Sequence, residues 1–205
     1  VVEGVSSTMY YFGLNVRNEA LSNPKVVEAI KYGVDYQGIA DTIGKGTIKV
    51  HQTMIPDGFL GGGINYNPYS LDIEKAKALI AESGVATPIK LETVVWNVPP
   101  YPDYAQAVQA TLSQIGVELD LQVVDGGPWL ERYRSHDLDI WLGLWGPDYP
   151  DPHSNAKAFG NHDPSDPDGT KGNLADRFGW NSGKVSDLVN EAVQEQDVDK
   201  RKALY

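Results

Sequence analysis

Cysteine is absent from the 205 residues, which excludes disulfide frameworks, thiolate nucleophiles and Cys-ligated zinc. Basic residues are scarce: 17 against 28 acidic ones give a formal charge of -11. That balance leaves no basic stripe for phosphate and argues against nucleic acid and anionic lipid surfaces as partners. Cationic or neutral ligands fit better. Long apolar runs are also missing. The one near the tryptophan pair, Ile140 to Trp145, is far short of the roughly 20 residues that span a bilayer. No signal peptide opens the chain, so the expectation is a soluble segment, cytosolic or already processed.

What is present suffices for a folded core, with 41% hydrophobic residues. Both ends read as cut. A strand-like run, Met9 to Val16, begins after only a few residues, and Asp199 to Tyr205 has helical composition with no closing Gly or Asn. A fragment of a longer protein is expected.

Along the chain, Ser22-Asn23-Pro24 supplies a cap and a first-turn proline for a helix over about 24–34, with Val26, Val27, Ile30 and Val34 on one face. Asp35 caps a short second helix stopped by Gly44 and Gly46, and Pro56 to Pro68 reads as a long loop. Asp72 caps a helix with Ala76, Leu79 and Ile80 inward, ended by Gly84. A strand (about 89–96), a helix (about 103–115), a strand (117–124), a short helix after Pro128 and a strand (138–145) follow in alternation. Such a β-α-β-α-β series specifies an α/β fold with a largely parallel sheet flanked by helices. Pro152 to Gly183, rich in Asn, Asp, Gly and Pro, reads as irregular, before a last helix carrying Val185, Leu188, Val189, Ala192 and Val193. No linker splits the chain, so residues 1–205 are expected to form a single lobe.

In a parallel sheet ligands gather at the carboxyl ends of the strands, here Trp96-Asn97, Asp125 and Trp145 to Asp148. The last strand runs straight into Trp145-Gly-Pro-Asp148-Tyr-Pro-Asp151-Pro152, acidic, aromatic and stiffened by proline, with no Ser, Cys or Lys nucleophile nearby. Asp148 either pairs with an ammonium group or caps a turn before proline. Trp145 and Tyr149 either sandwich an apolar or cationic group or belong to the core. Asp148 and Asp151 could in principle serve as a carboxylate pair for glycoside or peptide hydrolysis, although no placed partner is visible.

Other patterns fail on spacing. In Asn161 to Gly169, placing Asp166, Asp168 and Gly169 at calcium-loop positions three, five and six puts Pro164 at position one and Ala175 at position twelve, so a solvated acidic loop is expected instead. His51, His136, His153 and His162 are too scattered for a zinc pattern, and Gly44-Lys-Gly46-Thr lacks the run between glycines that a phosphate loop requires. No catalytic residue, metal site or cofactor is assigned.

Six segments in order carry a resemblance: Tyr11-Phe-Gly-Leu-Asn15; Asn23-Pro-Lys-Val-Val-Glu-Ala-Ile-Lys-Tyr-Gly-Val-Asp35; Asp72 to Gly84; Leu112-Ser-Gln-Ile-Gly-Val-Glu118; Trp145 to Pro152; and Asn181 to Leu188, continued by Asp199 to Tyr205. On these the chain resembles the family 5 extracellular solute-binding proteins that serve peptide-type ABC importers. The resemblance implies a periplasmic-binding-protein-like lobe, most of the C-terminal one, with the partner lobe and a final C-terminal segment lying outside these residues. It implies a periplasmic or extracytoplasmic location, membrane-tethered in the full-length chain, with a membrane permease as partner and a peptide or other small solute as ligand. The corresponding aspartate in peptide-binding members, here Asp148, pairs with the ligand's α-ammonium, while the loop backbone, Gly146 included, pairs with the peptide in β fashion. Dipeptide binders place an arginine after the strand that here ends Trp96-Asn97-Val-Pro-Pro-Tyr101; no arginine occurs there, and Trp96 with Tyr101 suits a larger or less polar ligand. Asn97 is assigned a hydrogen bond to ligand. Members also carry nickel complexes, haem, opines and oligosaccharides, so the resemblance implies the task and leaves the cargo open. The rivals are a hydrolase using Asp148 and Asp151 and a peptide receptor for signalling.

Overall fold

A computed structural model describes residues 6–170 and 172–205. The elements, in order, are β1 (Met9–Leu14), α1 (Pro24–Tyr32), α2 (Tyr36–Thr42), α3 (Ile73–Ser83), β2 (Ile89–Trp96), α4 (Tyr101–Leu112), a 3-10 turn (Ser113–Ile115), β3 (Val117–Val124), α5 (Gly126–Arg134), β4 (Ile140–Trp145), α6 (Pro152–Gly160), α7 (Leu174–Arg177), α8 (Gly183–Gln194) and α9 (Val198–Leu204). The four strands form one sheet in the order β1-β4-β2-β3. β2 is parallel to β3, with Ile89 opposite Val117 and Trp96 opposite Val124, and parallel to β4, with Thr93 opposite Ile140.

The chain divides into two compact units. The first, here the sheet unit, comprises Phe12–Gln52 and Asn67–Leu142; the second, the helical unit, comprises, of the described residues, 6–11, Thr53–Tyr66 and 143–205.

In the sheet unit the helices start where the caps are. Asn23, Asp35 and Asp72 each accept a backbone N–H two or three residues on (Lys25, Gly38 and Lys75), satisfying donors that the first helical turn leaves unpaired. α3 stops at Gly84, whose φ of 71° is a left-handed conformation that glycine adopts without a Cβ clash. Val26, Ala29 and Ile30 of α1, Ala76 and Ile80 of α3, and Val108 and Leu112 of α4 pack with Ile89, Leu91, Val117, Leu119 and Ile140 of the sheet. A second cluster joins Val95, Tyr101, Tyr104, Ala105 and Leu142.

Several boundaries differ from expectation. α1 ends at Tyr32, capped at Gly33, so Val34 lies beyond it. α4 begins at Tyr101, with Pro102 in its first turn, where the missing N–H costs nothing, and it tightens into the 3-10 turn before Gly116. α5 begins at Gly126, ahead of Pro128. β4 begins at Ile140; ahead of it Leu138 O accepts from Asn15 Nδ2 at 3.0 Å, and Asp139, whose backbone bonds to Glu92 O and the Asn15 N–H, also takes the Glu92 N–H on Oδ2 at 2.8 Å and the Asn18 amide on Oδ1 at 2.7 Å.

The helical unit corrects the expectation of an irregular Pro152–Gly183: α6 and α7 both lie there. Asp151 caps α6 and Pro152 occupies its first turn, so the Asp-Pro pair that reads as a turn starts a helix. Ala156 of α6 packs with Ile55 and Val189 of α8, with Met54, Phe59, Val185 and Tyr205 around them. The acidic stretch expected to be solvated is pinned. Asp166 is buried and accepts from Thr170 Oγ1, and the Arg177 guanidinium donates twice to Gly169 O, at 2.7 and 3.2 Å. Gly169 has φ of 61°, and a Cβ there would lie 2.2 Å from Asn173 O, so the tight turn requires glycine.

Candidate functional site

Within the helical unit, the end of β4 and the start of α6 hold the loop from Gly146 to Asp151. Trp145 is half-buried, edge-on to Phe159 of α6 at 6.1 Å, and its indole N–H is buried without a hydrogen-bond partner. A Cβ on Gly146 would meet only Thr8 Oγ1, at an ordinary 3.5 Å. The Asp148 N–H donates to Ser154 Oγ at 2.9 Å, and the Asp151 N–H donates to Tyr149 O at 2.8 Å. Two bonds therefore fix the loop's backbone against α6 and against itself. The Asp148 carboxylate is exposed and has no partner among the described residues, and the Tyr149 ring is 46% exposed beside it in sequence.

Asp151 is different. Its Oδ1 accepts the His153 N–H at 2.8 Å as the α6 cap, and its two oxygens accept from Arg201 Nη2 of α9 at 2.8 and 3.0 Å. Both oxygens are engaged in holding α6 and α9, which gives Asp151 a structural role. Spacing alone treats Asp148 and Asp151 alike; the fold gives one a free carboxylate and the other a structural role.

His153, on the first turn of α6, has a buried Nδ1 with no partner. Burial holds its pKa below the usual 6.5; Asp151 opposes this, while Lys157 and Arg201 add to it. The folded chain therefore binds this proton less readily than the unfolded chain, and stability falls as pH drops below about 6.5. Urea unfolding at about pH 7 and about pH 5 should show a lower midpoint in acid, and His153→Gln should reduce that acid loss.

Within the sheet unit, Trp96 ends β2 and Asn97 follows it. The Asn97 N–H donates to Val124 O at 2.8 Å, extending the ladder with β3, and its side chain is exposed. Tyr101 is 5% exposed, packed with Val95 and Tyr104, its ring tilted against Trp96 at 5.9 Å. It therefore backs Trp96 and presents little surface itself. Sequence reasoning missed the rest of this aromatic group: Trp96 stacks on Trp129 at 5.5 Å, Trp129 on Trp141 at 4.4 Å, and Trp141 on Tyr133 at 4.2 Å. The available signal was Trp129 and Tyr133 at i, i+4 on α5, a spacing that places two rings on one helix face. Asp125, at the head of α5, is exposed and makes no side-chain cap.

Among the described residues no group of three or more His, Asp or Glu is arranged to hold a metal ion. His162 Nδ1 instead faces the buried Asp176 carboxylate at 2.5 Å, and Asp176 also accepts the Asp163 N–H. No helix among the described residues is long and apolar enough to cross a membrane.

Residues 1–166 match the family described as bacterial extracellular solute-binding proteins, family 5 Middle. The chain belongs to this family. Among its curated relatives, the probable D,D-dipeptide-binding periplasmic protein DdpA of Escherichia coli K12 is 29% identical over 206 residues, covering 100% of this chain and 39% of the relative. The heme-binding protein A of Haemophilus influenzae is 26% identical, covering 95% of this chain and 35% of that protein. Of solved structures, HbpA2 from Haemophilus parasuis superposes with a TM-score of 0.85 at 26% identity, over 98% of this chain and 39% of that one. The periplasmic binding protein DppA from Helicobacter pylori, in complex with the peptide STSA, gives 0.87 at 24%, over 98% and 38%. The family 5 fold is thus shared across nearly all of this chain, which spans about two-fifths of the length of these relatives. DdpA, heme-binding protein A and DppA are each named as binding proteins.

Proposed function

We propose that this chain forms most of the C-terminal lobe of the solute-binding component of an ABC importer, which captures a peptide-like or related small solute outside the cytoplasm and delivers it to a membrane permease. The observation that carries the reading is the exposed, unpartnered Asp148 carboxylate on a loop whose backbone is fixed by Ser154. A fixed carboxylate without a partner is suited to an ammonium group, and the interaction strengthens where bound ligand excludes water. Relatives named for dipeptides, for di- and tripeptides and for haem agree with a solute receptor and differ in cargo. Ligand contact is assigned to Trp145, Gly146, Asp148 and Tyr149 in the helical unit and to Trp96 and Asn97 in the sheet unit, with Tyr101 supporting Trp96. The hydrolase alternative gains no support, since Asp151 is held by Arg201 and by the α6 cap.

Native mass spectrometry of the full-length receptor, purified without refolding, tests this. A retained peptide or amine, released unchanged on denaturation, is the expected result. A retained neutral sugar would overturn the role of Asp148 and leave solute binding standing, while turnover of an added peptide would overturn the binding reading.

A further inference from the structure

We propose that Arg201 is a positioning residue for the amine site: from α9 it holds Asp151, and through the head of α6 it sets the place of the Asp148 carboxylate and leaves it as the loop's single free charge. The inference rests on the reading of Asp148 as the amine anchor.

The linkage is continuous in bonds. Arg201 Nε donates to Ala192 O of α8 at 3.1 Å, and its Nη2 donates to both oxygens of Asp151. The Tyr205 ring lies 5.3 Å from the guanidinium carbon, and its hydroxyl is 3.4 Å from Nη2. The guanidinium is thus restrained from three directions, and its planar fork serves a helix carbonyl and a carboxylate together, which a lysine ammonium on a flexible stem does not. Asp151 Oδ1 passes the restraint on by capping α6 at His153, and the next residue, Ser154, accepts the Asp148 N–H. Asp148, Asp151 and Ser154 therefore form one bonded turn whose outer end is anchored by α9.

Charge acts in the same direction. Asp148 and Asp151 are three residues apart on the loop, and Arg201 neutralises only Asp151. The loop then offers one net negative charge, matched to a single ammonium. Without Arg201, Asp151 is a second anion whose nearest cationic partner is gone, and it competes for the ligand's amine from a position that the α6 cap does not suit to binding.

The test measures calorimetrically how strongly the full-length receptor prefers the dipeptide Ala-Phe over its N-acetyl form, in wild type, Arg201→Gln, Arg201→Lys, Asp151→Asn and Asp148→Asn. Each variant is its own reference, so a loss of overall stability does not move the ratio. Arg201→Gln should reduce the preference about tenfold, and Arg201→Lys should recover part of it. Asp151→Asn keeps a capping side chain and loses the ion pair, so it should fall between wild type and Arg201→Gln. Hydrogen exchange at the Asp148 amide, measured without ligand, should become about tenfold faster in Arg201→Gln. The inference is overturned if Arg201→Gln leaves the preference within about twofold of wild type while Asp148→Asn abolishes it, or if the amide exchange rate is unchanged. Should Asp148→Asn itself leave the preference intact, the amine reading fails, and this inference with it.

Discussion

Asp148→Asn should weaken binding of a free-amine dipeptide to the full-length receptor by about 2 kcal/mol, roughly 30-fold in Kd, and leave binding of the N-acetylated dipeptide nearly unchanged. The substitution keeps the shape of the side chain and the Asp148 N–H bond to Ser154 Oγ, so only the charge is lost. The size follows from the worth of a hydrogen bond to a charged group, about 1.5–3 kcal/mol, with the lower half appropriate to a carboxylate exposed before ligand arrives. Raising the salt concentration should narrow the difference between wild type and variant if the pair stays near solvent, and leave it unchanged if bound ligand seals it from water. Isothermal titration of both ligands, at low and at high salt, reads out each point. Equal loss for both ligands would mean that the substitution disturbs the loop and that the carboxylate makes no contact with an amine.

Trp141→Ala should cost about 3–5 kcal/mol of stability, a large share of the 5–15 kcal/mol typical of a folded domain. Trp141 is 2% exposed, on β4, and is packed between Trp129 at 4.4 Å and Tyr133 at 4.2 Å. Truncation leaves a cavity and removes two stacked contacts together. Those contacts are two of the ring contacts that attach α5 to the sheet unit, the others being those of Trp129 with Trp96 at 5.5 Å and with Tyr101 at 5.9 Å, and α5 has no fully buried residue and no side-chain cap. The ion pairs of Arg132 with Glu92 and Asp137 remain, but they are partly exposed and contribute little. Urea unfolding should show the loss as a lower midpoint, and Trp141→Phe, which keeps a ring in the stack, should lose less. Protection of α5 amides should fall further than that of α1 or α3, which pack on the other cluster. A loss under about 1 kcal/mol would mean that the neighbours collapse into the space and that the stack is not an anchor.

Most of the sheet unit was legible in the sequence because its signals are local. Asn23-Pro24, Asp35 and Asp72 act as caps through bonds to residues two or three further on, and β2 and β3 occupy the residues that alternation assigns them. The misread stretch is Pro152–Gly183, where Asn, Asp, Gly and Pro have two meanings. In Asp151-Pro152 they begin a helix; from Asp163 to Gly169 they make a turn pinned by Arg177, a residue eight positions beyond Gly169. Composition does not separate these cases, because the difference lies in which distant group supplies the hydrogen bond.

The candidate site divides in the same way. Sequence alone determined that a loop with Trp145, Asp148, Tyr149 and Asp151 follows an apolar strand, that no cysteine chemistry competes with it, and that the family is one of solute receptors. Residue type and local spacing are enough for those statements. Only the tertiary structure decided that Asp148 keeps a free carboxylate while Asp151 is taken by Arg201, fifty residues away in sequence, and that Tyr101 backs Trp96 from within the core. A carboxylate's role depends on what stands within about 3 Å of it, and at such separations along the chain that neighbour is chosen by packing.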